Sequence, residues 1–311
     1  MRTVGTRGAA ALLIFTTVAW GAMFAVAKSA LGSIDAFWLS TWRYGPASLA
    51  MLAMLWAFEG RAALLPGRDA IRLWFFGSLG FAGFSILGYL GLAQSKPEHA
   101  AIIVCLMPLL SSLLSWLAHR RRPSASTIVA TLVALTGVVL VITKGHVRIQ
   151  AEGTLRADAM VFAGVVCWVA YTMGAATLPR FSTLRYTTLS MALGTVTIFA
   201  VTLAATASGA VEAPAWDAIG AFPIEIAYLS LIGGVLAVLA WNAGIAALGP
   251  NRGVLFINLV PITAFAIGAA QGHRFGRAEI VGVVLVVGAL VANSLSARSA
   301  SGGFARSPKF A

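Results

Sequence analysis

Two cations, Lys28 and Arg43, fall inside long apolar runs of this 311-residue sequence. A charge held at the centre of a bilayer costs about 2.5–3.5 kcal/mol on insertion scales, so such residues sit where something compensates them. Facing a shared cavity, an ammonium and a guanidinium would attract the carboxylate of a small substrate. The alternative for Lys28 is that its stem lies along apolar surface while the charge reaches the headgroups. For Arg43 the alternative is bonding to backbone carbonyls or to Asp35.

Rings and amides lie within reach of the same depth. Trp20 and Phe24 sit mid-way along one apolar run, Trp168 and Tyr171 mid-way along another. Mid-membrane aromatics are off the usual interfacial belt, and binding pockets favour apolar and aromatic walls with a few polar groups. Helix packing accounts for the rings almost as well. Tyr89, Gln94, Trp241, Asn242 and Asn258 add phenol, indole and amide groups that need hydrogen-bond partners, from a cavity or from a neighbouring helix. Pro108 and Pro261 are read as kink or hinge positions. His99 heads a run near its polar end and is read as a solvated histidine in preference to a proton relay. No Asp or Glu is expected inside a span, which argues for a facilitator or loosely coupled carrier. Cys105 and Cys167 lie in apolar runs and form no redox or zinc pattern, so neither a metal nor a cofactor is expected.

The elements that position these residues repeat. The stretch 88–116 returns 153 residues later at 241–268, placing Pro97 on Pro250, Pro108 on Pro261 and Tyr89 on Asn242. Residues 15–31 are answered by 162–178, which places Trp20 opposite Trp168 at an offset of 148. Self-similarity of this kind fixes the architecture. Hydrophobic residues make up 59% and charged residues 10%, against about 25% charged in an ordinary soluble domain. Too few charges remain to make a wetted surface, so lipid must be the solvent for much of it. The net charge of +12 comes from short clusters between apolar runs, which excludes a nucleic-acid interface.

Ten apolar runs are long enough to cross a bilayer: 9–29, 36–58, 71–93, 97–118, 126–144, 157–177, 186–208, 223–247, 250–271 and 278–297. The expectation is an all-α integral membrane protein with ten transmembrane helices in two five-helix repeats, residues 1–148 and 149–297. A disordered cytoplasmic tail would follow at 298–311. Five is odd, so the second repeat enters the membrane inverted, as in many secondary transporters. With the N-terminus inside, 14 of the 22 basic residues fall on the inner side and six on the outer. Both termini are then expected in the cytoplasm. Glycines 77, 80, 83, 88, 91, 282 and 288 are expected to allow close helix approach.

Trp20, Gly21, Phe24 and Lys28, followed by Trp42-Arg43-Tyr44, resemble the drug/metabolite transporter superfamily of EamA type. So do Leu106-Met107-Pro108-Leu109 and its counterpart Leu259-Val260-Pro261-Ile262. The resemblance covers residues 9–297 and is nearest to bacterial inner-membrane amino-acid exporters, the aromatic group included. It implies a central cavity between repeats with alternating access, and adds Tyr44 to the candidate substrate-binding residues. It also implies that the fourth, fifth, ninth and tenth spans stand outside the cavity or support it. Ala176 stands where Lys28 has its counterpart, so any charge-based contact is one-sided. The expected function is export of small metabolites, foremost amino acids, by a chain that acts as a monomer. The alternatives are a drug or sugar-derivative carrier, and a membrane-embedded enzyme. For the enzyme, the scattered histidines at 99, 119, 146 and 273 offer no catalytic cluster.

Overall fold

The computed structural model describes residues 5–120, 123–145, 152–248 and 253–303. Pro250, His146, Arg2, Arg121, Arg122, Arg148, Arg252, Arg306 and Lys309 lie outside them. Every regular element is helical. The first half runs α1 (Thr6–Ala30), α2 (Ala36–Glu59), α3 (Ala70–Gly77), a π-helical segment (Ser78–Gly83) continuing into α4 (Phe84–Gln94), α5 (Pro97–Val104), α6 (Met107–His119) and α7 (Ala125–Thr143). The second runs α8 (Glu152–Ala175), α9 (Thr183–Ala207), short α10 (Trp216–Gly220) and α11 (Pro223–Ala227). A second π segment (Tyr228–Leu236), α12 (Ala237–Leu248), a 3-10 turn (Val254–Asn258), α13 (Leu259–Ala270) and α14 (Arg277–Gly303) complete it.

Among the described residues six helices are long and apolar enough to cross a membrane. A seventh is added if α5 and α6, bent by 44° at Cys105-Leu106, count as one span. The sequence leads one to expect ten. The α2 helix is not among the six, and its first half carries Ser40, Thr41, Arg43, Gly45, Pro46 and Ser48. Phe256–Ala270 is apolar but short. α14 continues to Gly303, so 298–303 is helical where an irregular tail is expected; 304–311 lie outside the described residues. Leu49, Phe58, Ile71, Leu117, Val129, Leu132 and Val284 are each more than half exposed, the outward apolar belt that lipid requires.

Sequence echoes become structural ones. The two π segments coincide at an offset of 153, and each leads into an α-helix that packs on the first helix of the opposite half. There the contacts are exchanged. A Cβ at Gly91 would stand 2.4 Å from the Ala157 carbonyl oxygen, and one at Gly244 would stand 3.2 Å from the Ala9 carbonyl oxygen. Position 91 maps onto 244, and position 9 onto 157, by the offsets read from the sequence. The helices closing each half, α7 and α14, cross at Gly137 and Gly282, each facing the other's carbonyl. Gly88 and Gly288 have open space instead, so close approach accounts for some of the expected glycines and not for these two.

Contacts sort the helix termini into two ends. Glu59 accepts from Ser182 and Asp69 pairs with Arg180 at the end where α1 begins, here the proximal end. Trp38 meets Thr206, and Lys28 meets the end of α4, at the distal end.

Candidate functional site

A cavity of about 50 Å³ lies between the halves, walled by Trp20, Met23 and Phe24 of α1, Arg43 and Tyr44 of α2, and Phe81 of the first π segment. Phe84, Val104, Met107, Trp168, Met191 and Ile257 close it. The wall is built from helix irregularities. The second π segment brings Gly233 and Gly234 to it. A π turn loosens the regular hydrogen-bond ladder and is common at functional sites. Trp20 uses this: its indole donates to the Gly233 carbonyl at 3.2 Å. The break after α5 turns Val104 and Met107 inward together.

Arg43 is the charged group of this wall. It is 4% exposed, its Nη1 donates to the Tyr89 hydroxyl at 3.0 Å, and its Cζ stands 4.7 Å from the centre of the Tyr44 ring. Among the described residues it belongs to no ion pair, and its Nε has no hydrogen-bond partner. Neither backbone carbonyls nor Asp35 hold it; Asp35 caps α2 by accepting from the Phe37 N–H. Ring faces and a phenol offset part of the burial cost of a guanidinium, but leave its positive charge without a counter-charge.

A second cavity, about 280 Å³, shares Trp20, Phe81, Met107, Trp168, Val238 and Ile257 with the first. It extends to Ala175 and Thr183, the end of α8 and the start of α9, and therefore toward the proximal end. Its polar lining includes Ser111, Tyr171, Thr172, Thr183, Tyr186, Thr187 and Asn242. Tyr171 stacks on Tyr186 at 5.2 Å, and Trp241 sits 5.4 Å from Trp20. Toward the distal end a void of about 10 Å³ lies between Arg43, Tyr89, Leu92 and Val161.

The residues singled out from the sequence therefore separate. Trp20, Phe24, Arg43, Tyr44 and Trp168 share the inner cavity, Tyr89 backs it, and Tyr171, Trp241 and Asn242 line the larger one. Lys28 does not reach either: its Nζ donates to the Leu92 and Ala93 carbonyls at 2.8 and 2.7 Å. A lysine there compensates the negative end of α4 and its unpaired carbonyls. Gln94 is exposed at the end of α4. Asn258 is buried with its Oδ1 unbonded but belongs to none of the three voids. Pro108 stands just beyond the bend and lines the larger cavity, and Pro261 is buried in α13. The α5–α6 and 3-10–α13 regions line the cavity rather than standing outside it.

Two expectations about acids and histidine are overturned. Asp158 and Glu98 are buried within helices, 3% and 2% exposed, and His99 is 3% exposed rather than solvated. Each acid meets an imidazole from the other half, a pairing that sequence separation hides. Phe81, Phe84, Met23 and Met191 escaped the sequence reading because nothing separates them from ordinary apolar residues.

Two halves with exchanged helix contacts, carrying helices long and apolar enough to cross a membrane, define a polytopic membrane protein. The profile of the EamA-like transporter family matches twice, over residues 7–143 and 155–295. The chain belongs to the EamA-like transporter family, in the drug/metabolite transporter superfamily; it is a transporter and not an enzyme, and its partners are a small-molecule substrate and the bilayer. It is 34% identical over 290 residues to the uncharacterized transporter YrdR of Bacillus subtilis (strain 168), covering 92% of this chain and 90% of that protein. It is 24% identical over 256 residues to a probable terminal-alkyne amino-acid exporter of Streptantibioticus cattleyicolor, covering 82% of each. One crystal structure, described only as that of a protein, shares the fold with a TM-score of 0.67 at 20% identity, over 94% of this chain and 98% of that one.

Proposed function

We infer that the chain exports small apolar carboxylates, amino acids with apolar side chains foremost, by alternating access through the seam cavity. Ten crossings in two inverted five-helix repeats, in the cytoplasmic membrane with both termini inside, complete the reading. The exchanged contacts at Ala9–Gly244 and Ala157–Gly91 support the inversion.

One observation carries the substrate class: Arg43 is buried at the cavity wall without an acidic partner, among aromatic and methionine side chains. A carboxylate is the counter-charge that site lacks, and a guanidinium can bind it with two parallel hydrogen bonds. The walls then take an apolar side chain. The inner cavity, about 50 Å³, is too small for an amino acid, whereas the larger one, about 280 Å³, approaches the roughly 300 Å³ at which small-molecule pockets begin. The arrangement is that of a carrier loaded from the proximal end, which must widen around Arg43 before it releases at the distal one. The Streptantibioticus cattleyicolor relative is named a probable terminal-alkyne amino-acid exporter, which supports an amino-acid substrate.

Counterflow in proteoliposomes tests this. Vesicles preloaded with one unlabelled amino acid should accelerate entry of labelled phenylalanine or leucine over protein-free vesicles. Lysine and quaternary ammonium compounds should not exchange. Exchange of the quaternary ammonium compounds alone would overturn the carboxylate reading in favour of a drug carrier.

A further inference from the structure

Two carboxylates are buried where the halves meet at the distal end, outside the substrate cavity. Asp158 of α8 accepts from Ser95 Oγ at 2.5 Å, and its Oδ2 lies 3.4 Å from Nδ1 of His99. Ser95 and His99 belong to the first half, Asp158 to the second. The neighbouring residue in the chain, Glu98, places Oε1 2.8 Å from Nδ1 of His273 in the second half. Each half thus supplies one carboxylate and one imidazole, and both pairs span the seam. Asp158 Oδ2, Glu98 Oε2 and His99 Nε2 are buried with no hydrogen-bond partner.

The surrounding charges do not complete these pairs. From α1, Lys28 is bound to the α4 carbonyls. Lys96 before α5, Lys144 after α7, Arg156 on α8 and Arg274 before α14 are exposed. Glu279 of α14 accepts from the Gly276 N–H at 2.7 Å.

We propose that the two carboxylate–imidazole pairs are proton-binding sites that latch the distal end, each closed pair holding one proton. With that proton, shared between carboxylate oxygen and imidazole nitrogen, a pair is neutral. Without it a carboxylate stays buried and uncompensated, at a cost of several kcal/mol per ion. Opening the seam lets water solvate the groups, and the proton leaves the imidazole nitrogen for water with no other bond changed. Closure and proton uptake are therefore linked. The site also touches the substrate pathway. Leu92 and Val161, three residues from Ser95 and Asp158 on their helices, line the small void with Arg43 and Tyr89. Widening around Arg43 would loosen the same seam.

The experiment needs no substrate. Spin labels at Gln94→Cys and Gln271→Cys, both exposed and on opposite halves, report the seam in full-length protein with Cys105→Ala and Cys167→Ala. Between about pH 5.5 and about pH 8.5, which brackets imidazole titration, a longer-distance population should grow with pH. In Asp158→Asn combined with Glu98→Gln the distribution should no longer respond to pH, because an amide carries no charge to hold a proton on the facing imidazole. His273→Gln, at a side chain 44% exposed and so least disruptive to folding, should weaken the response on its own. Identical distributions at both pH values in the labelled parent would overturn the proposal. So would a full response surviving in the His273→Gln, Asp158→Asn and Glu98→Gln proteins.

Discussion

Replacing Arg43 with glutamine is expected to lower counterflow of apolar amino acids by roughly 30- to 1000-fold, the range of about 2–4 kcal/mol for removing one member of a buried charge pair. Glutamine keeps hydrogen-bonding groups and much of the stem, so the loss would report the charge. Arg43→Lys keeps the charge but not the planar fork, and the Tyr89 hydroxyl, held at 3.0 Å, is placed for a guanidinium. Partial recovery is expected there. Folding should survive, because in the absence of substrate Arg43 is the uncompensated member of the site and removing it relieves a burial cost. A protein that is monodisperse and as thermally stable as its parent, yet does not exchange, would separate the substrate role from a structural one. Undiminished exchange in Arg43→Gln would remove the basis for a carboxylate substrate.

The second large effect concerns the scaffold. Gly77 closes α3 just before the first π segment, and a Cβ there would stand 2.0 Å from the Ser190 carbonyl oxygen of α9. A Cβ at Gly194 would in turn stand 2.3 Å from the Gly77 carbonyl oxygen. Neither obstacle is a flexible side-chain tip; both are backbone. Gly77→Val must therefore push α3 and α9 apart, and overpacking of this kind costs typically about 1–3 kcal/mol and occasionally more. Phe81 follows Gly77 by one turn and Met191 sits beside Ser190, both on the cavity wall, so the separation reaches the site. The expected result is a lower melting temperature in detergent and a loss of exchange together. Gly288→Ala, with nothing within 4 Å of the added Cβ, should leave both unchanged. If Gly77→Val were as stable as Gly288→Ala, the α3–α9 contact would not carry the weight assigned to it.

Much of this is legible in the sequence, for a definite reason. Inserting a chain into lipid requires long apolar runs, and duplicating it leaves a constant offset, so Trp20 and Trp168 or Pro108 and Pro261 could be paired by counting. Arg43 was legible too, as a cation with no nearby way out of its run. Lys28 looked equivalent but is not. Its long stem serves a cavity, a headgroup or a helix end equally well, and only the fold puts the last carbonyls of α4 within reach. The π segments have no signature beyond glycines, and the bend at Cys105-Leu106 precedes its proline rather than containing it. The acid–imidazole pairs are the least legible feature of the sequence. Asp158 stands inside an apolar run, but its meaning comes from Ser95 and His99, which lie in the other half of the chain and meet it only across the seam.

The proposed transport turns on Arg43 binding a substrate carboxylate in the seam cavity. Calorimetric titration of the purified protein with L-phenylalanine and with L-phenylalaninamide tests it most directly, since the pair shares ring and ammonium and differs in the anionic group. Saturable binding of the acid, at least roughly 30-fold weaker binding of the amide, and loss of that preference in Arg43→Gln are the predicted results. Equal affinity for acid and amide, or a preference for the acid that persists without Arg43, would contradict the account.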